Sequence, residues 1–169
     1  MPNYEHNEGV TMNRRISIEV MGTNVKAIAE LEDEDAPQTC DAMWGALEVP
    51  LVAKVIHAMY AGKEVFIPDF PAVNKTFNAA ALPRENATAY PSAGDIGWLY
   101  CPPHNERGKK GEVWDLAFAY GREVTFDSSL GIRPITVWAH IIEGLEGFAE
   151  QCARIRSDDG PKVFKVQRA

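Results

Sequence analysis

No stretch of this sequence stays apolar for the roughly 18–20 residues that a membrane-spanning helix requires, and the N-terminus lacks the cationic-then-apolar order of a secretory signal. A cytoplasmic location is the default expectation. Cysteine is scarce: Cys40, Cys101 and Cys152 lie far apart and form no C-x-x-C pair, which suits reduced packing residues better than a disulfide framework. Positive charge is in deficit, with 17 Lys and Arg against 24 Asp and Glu and a net charge of −7. Such a chain repels phosphate backbones and anionic lipid, so neither nucleic acid nor a membrane is an expected partner. No Gly-rich phosphate loop, G-x-S-x-G elbow or H-E-x-x-H helix occurs, which removes the commonest nucleotide, serine-hydrolase and metalloprotease readings. Cys101-Pro102-Pro103-His104 has C-x-x-H spacing but no second pair to complete a zinc site, and neither metal nor cofactor is expected.

What is present suits one compact core. The chain has 169 residues, 46% of them hydrophobic and 24% charged, within the range of a single globular domain. Residues 1–13 are polar and aperiodic and read as a flexible leader, or as an arm that orders against a second copy of the chain; residues 14–169 form the domain. Ile16, Ile18 and Val20 alternate with Arg15, Ser17 and Glu19, the period of a half-buried strand, and Gly22-Thr23-Asn24 turns it into a second strand over 25–31.

Behind Pro37, the residues Cys40, Met43, Trp44 and Leu47 recur at i, i+3, i+4 and i+7, one buried helix stripe whose positive end the acidic run Glu32 to Asp35 complements. Residues 55–60 and 63–67 flank Ala61-Gly62 and read as a second hairpin. Residues 68–91 hold four prolines and form a long ordered loop, more often the wall of a site than filler. Further strands are expected over 95–100, 114–120, 135–142 and 163–166, with a second helix stripe in Leu145, Phe148, Ala149 and Cys152. No βαβ unit repeats, which argues against a parallel doubly wound sheet. A mainly β fold follows: a closed, mostly antiparallel barrel of about eight strands with two capping helices, since closure pairs every edge.

Several segments carry a resemblance. The run from Glu34 to Cys40 resembles the strand-to-helix entry of cyclophilins, and the run from Val137 to Leu145 resembles their later strand-to-helix segment. Ile56-His57 resembles the Phe-His pair that precedes the cyclophilin catalytic arginine. The stretches Ala36 to Trp44, His57 to Glu64 and Glu85 to Ile96 look closer still to an uncharacterised bacterial and archaeal family with a cyclophilin-like barrel, a resemblance that implies a fold and no established reaction. Ala58 stands where the cyclophilin arginine would be, and Leu130 and Ile135 fall near its pocket tryptophan and histidine. The resemblance therefore implies a cleft without the guanidinium that prolyl isomerisation needs.

Candidate chemistry gathers on the 57–64 hairpin. His57 and Glu64 are the candidate catalytic pair, an imidazole acting as acid or base with a carboxylate to orient it, and Tyr60 is a substrate-binding candidate beside them, although strand alternation alone would point it away from His57. Glu85 and Asn86, at the head of a turn-rich segment, and the aromatic residues Trp98, Tyr100 and Tyr120 complete the candidate substrate-binding set. The leading expectation is a small-molecule binding barrel; whether it is also a cofactor-free enzyme is left open by the sequence. Its alternatives are a peptide-binding module without catalysis and a residual prolyl isomerase. A homo-oligomer built through the leader is a further expected partnership.

Overall fold

The computed structural model describes residues 13–68, 70, 77–128 and 131–169. Residues 1–12 of the expected leader, residues 69 and 71–76 of the proline-rich loop expected over 68–91, and Leu130 therefore lie outside the described residues. The strands are β1 (Arg15–Val20), β2 (Lys26–Leu31), β3 (Leu51–His57), β4 (Glu64–Ile67), β5 (Ala87–Thr88), β6 (Asp95–Cys101), β7 (Val113–Ala119), β8 (Asp127–Ser128), β9 (Gly131–Ile132), β10 (Ile135–Glu143) and β11 (Lys162–Arg168). Among the described residues the helices are α1 (Pro37–Ala46) and α2 (Leu145–Ser157), with a 3-10 turn at Ala79–Ala81.

Eight strands close on themselves in the order β2-β1-β11-β3-β4-β7-β6-β10, and β10 returns to β2. Every neighbouring pair in this ring is antiparallel. Closure satisfies the backbone groups that an open edge would leave to solvent or to another chain. The fold is thus the expected closed barrel with two helices.

Alternation sorts the side chains into two layers. Val65 and Ile67 lie opposite Phe118 and Leu116, and Ile96 and Trp98 lie opposite the same two, so these six point into the barrel. Cys40 and Met43 of α1, with Phe148 and Cys152 of α2, are completely buried against that interior and plug it. The opposite faces of the same strands form a second, outer cluster of Leu99, Cys101, Ala117, Ala119, Ile135 and Val137, covered by Val124 and Phe126 from the segment after β7. A bulge between Val137 and Ala139 lets β10 serve both layers, since Val137 faces out while Trp138, Ala139 and Ile141 face in.

The second hairpin departs from expectation. β3 begins at Leu51, and strand pairing with β4 is confined to Ile56–Phe66 and His57–Val65. Residues 58–63 form a six-residue turn, closed by the Ala58 N–H donating to the Glu64 carbonyl at 3.0 Å. The turn is pinned at Gly62, whose φ of +83° places a hypothetical Cβ 2.8 Å from the Glu123 carbonyl oxygen. Only glycine suits that left-handed position so close to another backbone.

Helix α1 also differs in its capping. Its N-cap, Ala36, makes no side-chain bond, and no acidic residue occupies its first turn. The nearby Asp33 instead pairs with Arg14, whose Nε lies 3.1 Å from Oδ1. The carboxylate at the helix head comes from Glu85: Oε2 accepts from the Thr39 N–H and the Thr39 hydroxyl, both at 2.9 Å, and Oε1 accepts from the Gln38 N–H at 3.2 Å. A long-range side chain thereby satisfies donors that helix geometry leaves free. Those bonds hold the Glu85 carboxyl below its ordinary range against the opposing effect of burial.

Candidate functional site

The outer faces of β3, β4 and β7 line a cleft of about 630 Å³, within the size range of small-molecule sites. The register explains its floor. Glu64 faces outward opposite Ala119, Phe66 follows two residues on, and Asp115 shares that outer face of β7. Walls come from the 58–61 turn, from Lys109, Gly111, Glu112 and Val113, and from Thr125, Phe126 and Arg133.

Glu64 is only 1% exposed, and its Oε1 has no hydrogen-bond partner among the described residues. Asp115 is partly buried, and its Oδ1 is likewise shielded from solvent and unpartnered. Burial, and after it the neighbouring Asp115 carboxylate, pushes Glu64 well above the usual carboxylate range, with Arg133 acting in the opposite direction. Burial also raises Asp115, to about 7, again against the pull of Arg133. Two carboxyl groups in one poorly hydrated place cannot both ionise cheaply, so the pair titrates as a unit that retains a proton near neutrality.

Arg133 enters from the segment between β9 and β10. Its Nη1 lies 3.4 Å from Glu106 Oε1, while its Nε–H is buried without an acceptor among the described residues. The expectation of a cleft without a guanidinium is therefore corrected: the position after His57 is indeed Ala58, but an arginine reaches the cleft from another strand connection.

The structure brings His57, Tyr60 and Glu64 onto one cleft. His57 Nδ1 is 2.8 Å from the Ala58 carbonyl oxygen, which can only accept, so Nδ1 carries a proton and donates. Nε2 lies 2.7 Å from the Tyr120 hydroxyl and accepts from it when the ring is neutral. Both ring nitrogens are engaged, and Tyr120 is buried behind the histidine, its ring edge-on at 5.7 Å. Tyr60 and Met59 are exposed on the rim, at 66% and 77%.

The remaining candidates lie elsewhere. Glu85 caps α1, and Asn86 donates through Nδ2 to the Val137 carbonyl at 3.0 Å. Trp98 is buried in an edge-to-face cluster with Phe70, Phe77 and Trp114. Trp98 and Tyr100 also border a separate hollow of about 150 Å³ beside Arg84, and the Tyr100 hydroxyl donates to Glu112 at 2.9 Å. Among the described residues no group of three or more His, Cys, Asp or Glu side chains is placed to hold a metal ion. No described helix is long and apolar enough to cross a membrane.

Asp115 and Arg133 are cleft-lining residues that sequence reasoning missed. Asp115 had a signal, as the one charge in the apolar strand V-W-D-L-A-F-A; Arg133, in a polar connection before Pro134, had none.

The model of a family described as a protein of unknown function, DUF3830, matches residues 16–166. The chain belongs to this family. No curated protein matches it. Among solved structures, McbB in complex with tryptophan aligns with a TM-score of 0.60 at 16% identity over 90% of this chain, which spans only 44% of that protein's length. The hypothetical protein AF2241 from Archaeoglobus fulgidus aligns with a TM-score of 0.52 at 19% identity, covering 93% of this chain and 95% of the other. The Mimivirus cyclophilin aligns with a TM-score of 0.58 at 9% identity, covering 92% and 87%. This DUF3830 member therefore has a cyclophilin-like fold, and at such identities the likeness extends to the fold alone.

Proposed function

We propose that this DUF3830 protein binds a small organic molecule in the outer-face cleft and acts on it by cofactor-free acid–base chemistry. Glu64 is the group that gives or takes the proton, Asp115 keeps it protonated near neutrality, and Arg133 anchors an anionic or carbonyl oxygen of the ligand. His57 borders the cleft and holds the 58–63 turn in place, with Tyr60 as a rim contact.

One observation carries the reading. Glu64 is almost wholly buried on an apolar-walled cleft with an oxygen that nothing described in the chain satisfies. A buried, unpaired carboxyl is a cost to the fold, and such costs concentrate where a ligand completes the bonding. The complex of McbB with tryptophan lends support as a case of this fold in a protein that holds a small molecule.

A thermal-shift screen of small molecules against the intact protein tests the reading. Compounds that stabilise the native protein are expected to lose most of their effect in Glu64→Gln and in Arg133→Met. Hits that stabilise both variants as well as the native chain would refute the assignment.

A second reading, prolyl isomerisation or peptide binding, is favoured by the Arg133 guanidinium in the cleft. The ion pair with Glu106 and the carboxyl pair on the floor speak against it, because a guanidinium already paired stabilises a twisted amide less. No acceleration of proline-peptide isomerisation is expected.

A further inference from the structure

We infer that the ligand is amphoteric: an amino acid, or a close derivative, that carries a cationic amine, an anionic carboxylate and an apolar or aromatic body. This rests on the cleft being the ligand site as proposed above. It adds the ligand's chemical class.

The unmet bonding in the cleft has two signs. Among the described residues, Glu64 Oε1 and Asp115 Oδ1 are acceptors lacking a donor, whereas the Arg133 Nε–H is a donor lacking an acceptor. All three belong to residues that line one cleft, and Arg133 lies close enough for its charge to act on both carboxyls. Glu106 Oε2 is also unpaired, but Glu106 does not line the cleft.

A purely cationic ligand would answer the carboxyls and leave the guanidinium N–H buried and unmet. A purely anionic one would do the reverse and set its charge beside two carboxyl groups. Each choice retains a buried unsatisfied polar group, and with it most of the penalty that binding should remove. A molecule with both groups satisfies all three atoms at once, and Lys109 on the wall adds a second cation toward the ligand's carboxylate. Between these poles the lining is apolar, with Phe66, Val113, Phe126 and the exposed Met59 and Tyr60, so the body of the ligand is a hydrocarbon or an aromatic ring.

Calorimetric titration of the full chain with L-tryptophan, tryptamine and indole-3-propionate separates the possibilities, because the three share one ring and differ only in their charged ends. Tryptophan is expected to bind at least about 10-fold tighter than either single-ended analogue. The double variant Glu64→Gln, Asp115→Asn, which removes the negative charge that the one-proton pair keeps, should bring tryptophan down to the level of indole-3-propionate without weakening the latter. Arg133→Met should bring it down to the level of tryptamine. Arg133→Lys, which keeps the charge but loses the Nε–H, serves as the second variant should the methionine protein not fold, and it too should weaken tryptophan selectively.

If a single-ended analogue binds as tightly as tryptophan, and still loses affinity in the variants, the amphoteric inference is overturned while the cleft reading stands. Failure of tryptophan to bind, where another compound binds and Glu64→Gln abolishes it, overturns the inference in the same way. Equal binding of all three probes to the native protein and every variant overturns the cleft reading itself.

Discussion

Glu64 and Asp115 link the chemistry of the cleft to the stability of the chain. In the unfolded chain both carboxyls ionise near pH 4; in the fold both hold their proton to higher pH, Asp115 to about 7. Between those values the folded state binds more protons than the unfolded one, so their contribution is fully present below the unfolded pKa and is lost as pH rises through the folded pKa. Melting temperatures from about pH 5 to about pH 8 should therefore fall in the native protein and fall less in the Glu64→Gln, Asp115→Asn double variant. An equal slope in both would show that the pair is not perturbed. The thiols give a second expectation at this scale. Burial raises Cys40 to about 12 and Cys101 to about 11, and pushes Cys152 up as well. Dithionitrobenzoate should label none of the three rapidly in the folded protein and all three after denaturation. Glu64 could be singled out in the sequence because it shares a short hairpin with His57. Arg133 could not, since its approach to the cleft depends on chain path rather than on any local pattern.

At the scale of elements, apolar periodicity located the strands and helices, and hydrogen bonds between distant segments decided their ends. The i, i+3, i+4, i+7 stripe of α1 is buried in Cys40, Met43 and Leu47, while Trp44 lies partly exposed with the Arg14 and Arg168 guanidinium carbons 5.6 and 4.6 Å from its ring centre. The cap of the same helix was illegible, because its carboxylate comes from Glu85 and not from the acidic run beside it. Glu85→Ala should destabilise the protein by about 1–2 kcal/mol in denaturant unfolding, the usual effect of losing a cap, without changing ligand affinity in the cleft. The turn over 58–63 was misread as two residues, since Gly62 was taken as a hairpin centre when its role is to lie against the Glu123 backbone. Gly62→Ala is expected to cost about 1–3 kcal/mol and, unlike the cap variant, to weaken binding, because that turn forms a wall of the cleft. Unchanged affinity in a folded Gly62→Ala protein would separate the turn from the site.

For the whole molecule, strand alternation and the lack of a βαβ repeat were enough to reach a closed antiparallel barrel, because few other arrangements pair every edge of so many short strands. The division of the outer layer was not accessible in the same way. One candidate pocket spanning the 57–64 hairpin, the Glu85 segment and Trp98 with Tyr100 resolves into a cleft on β3, β4 and β7, a separate small hollow, and a helix cap. One interior cluster joins both helices to the ring of strands, so circular dichroism and tryptophan fluorescence should report a single coincident unfolding transition. Where a ligand seats on this barrel is the claim on which the rest depends. A nitrogen-15 correlation NMR titration of the intact chain with L-tryptophan tests it most directly: the account predicts shifts concentrated at Glu64, Phe66, Asp115 and Phe126 and at the Arg133 Nε–H. Shifts confined to Arg84, Trp98 and Tyr100, or absent at saturating ligand, would contradict it.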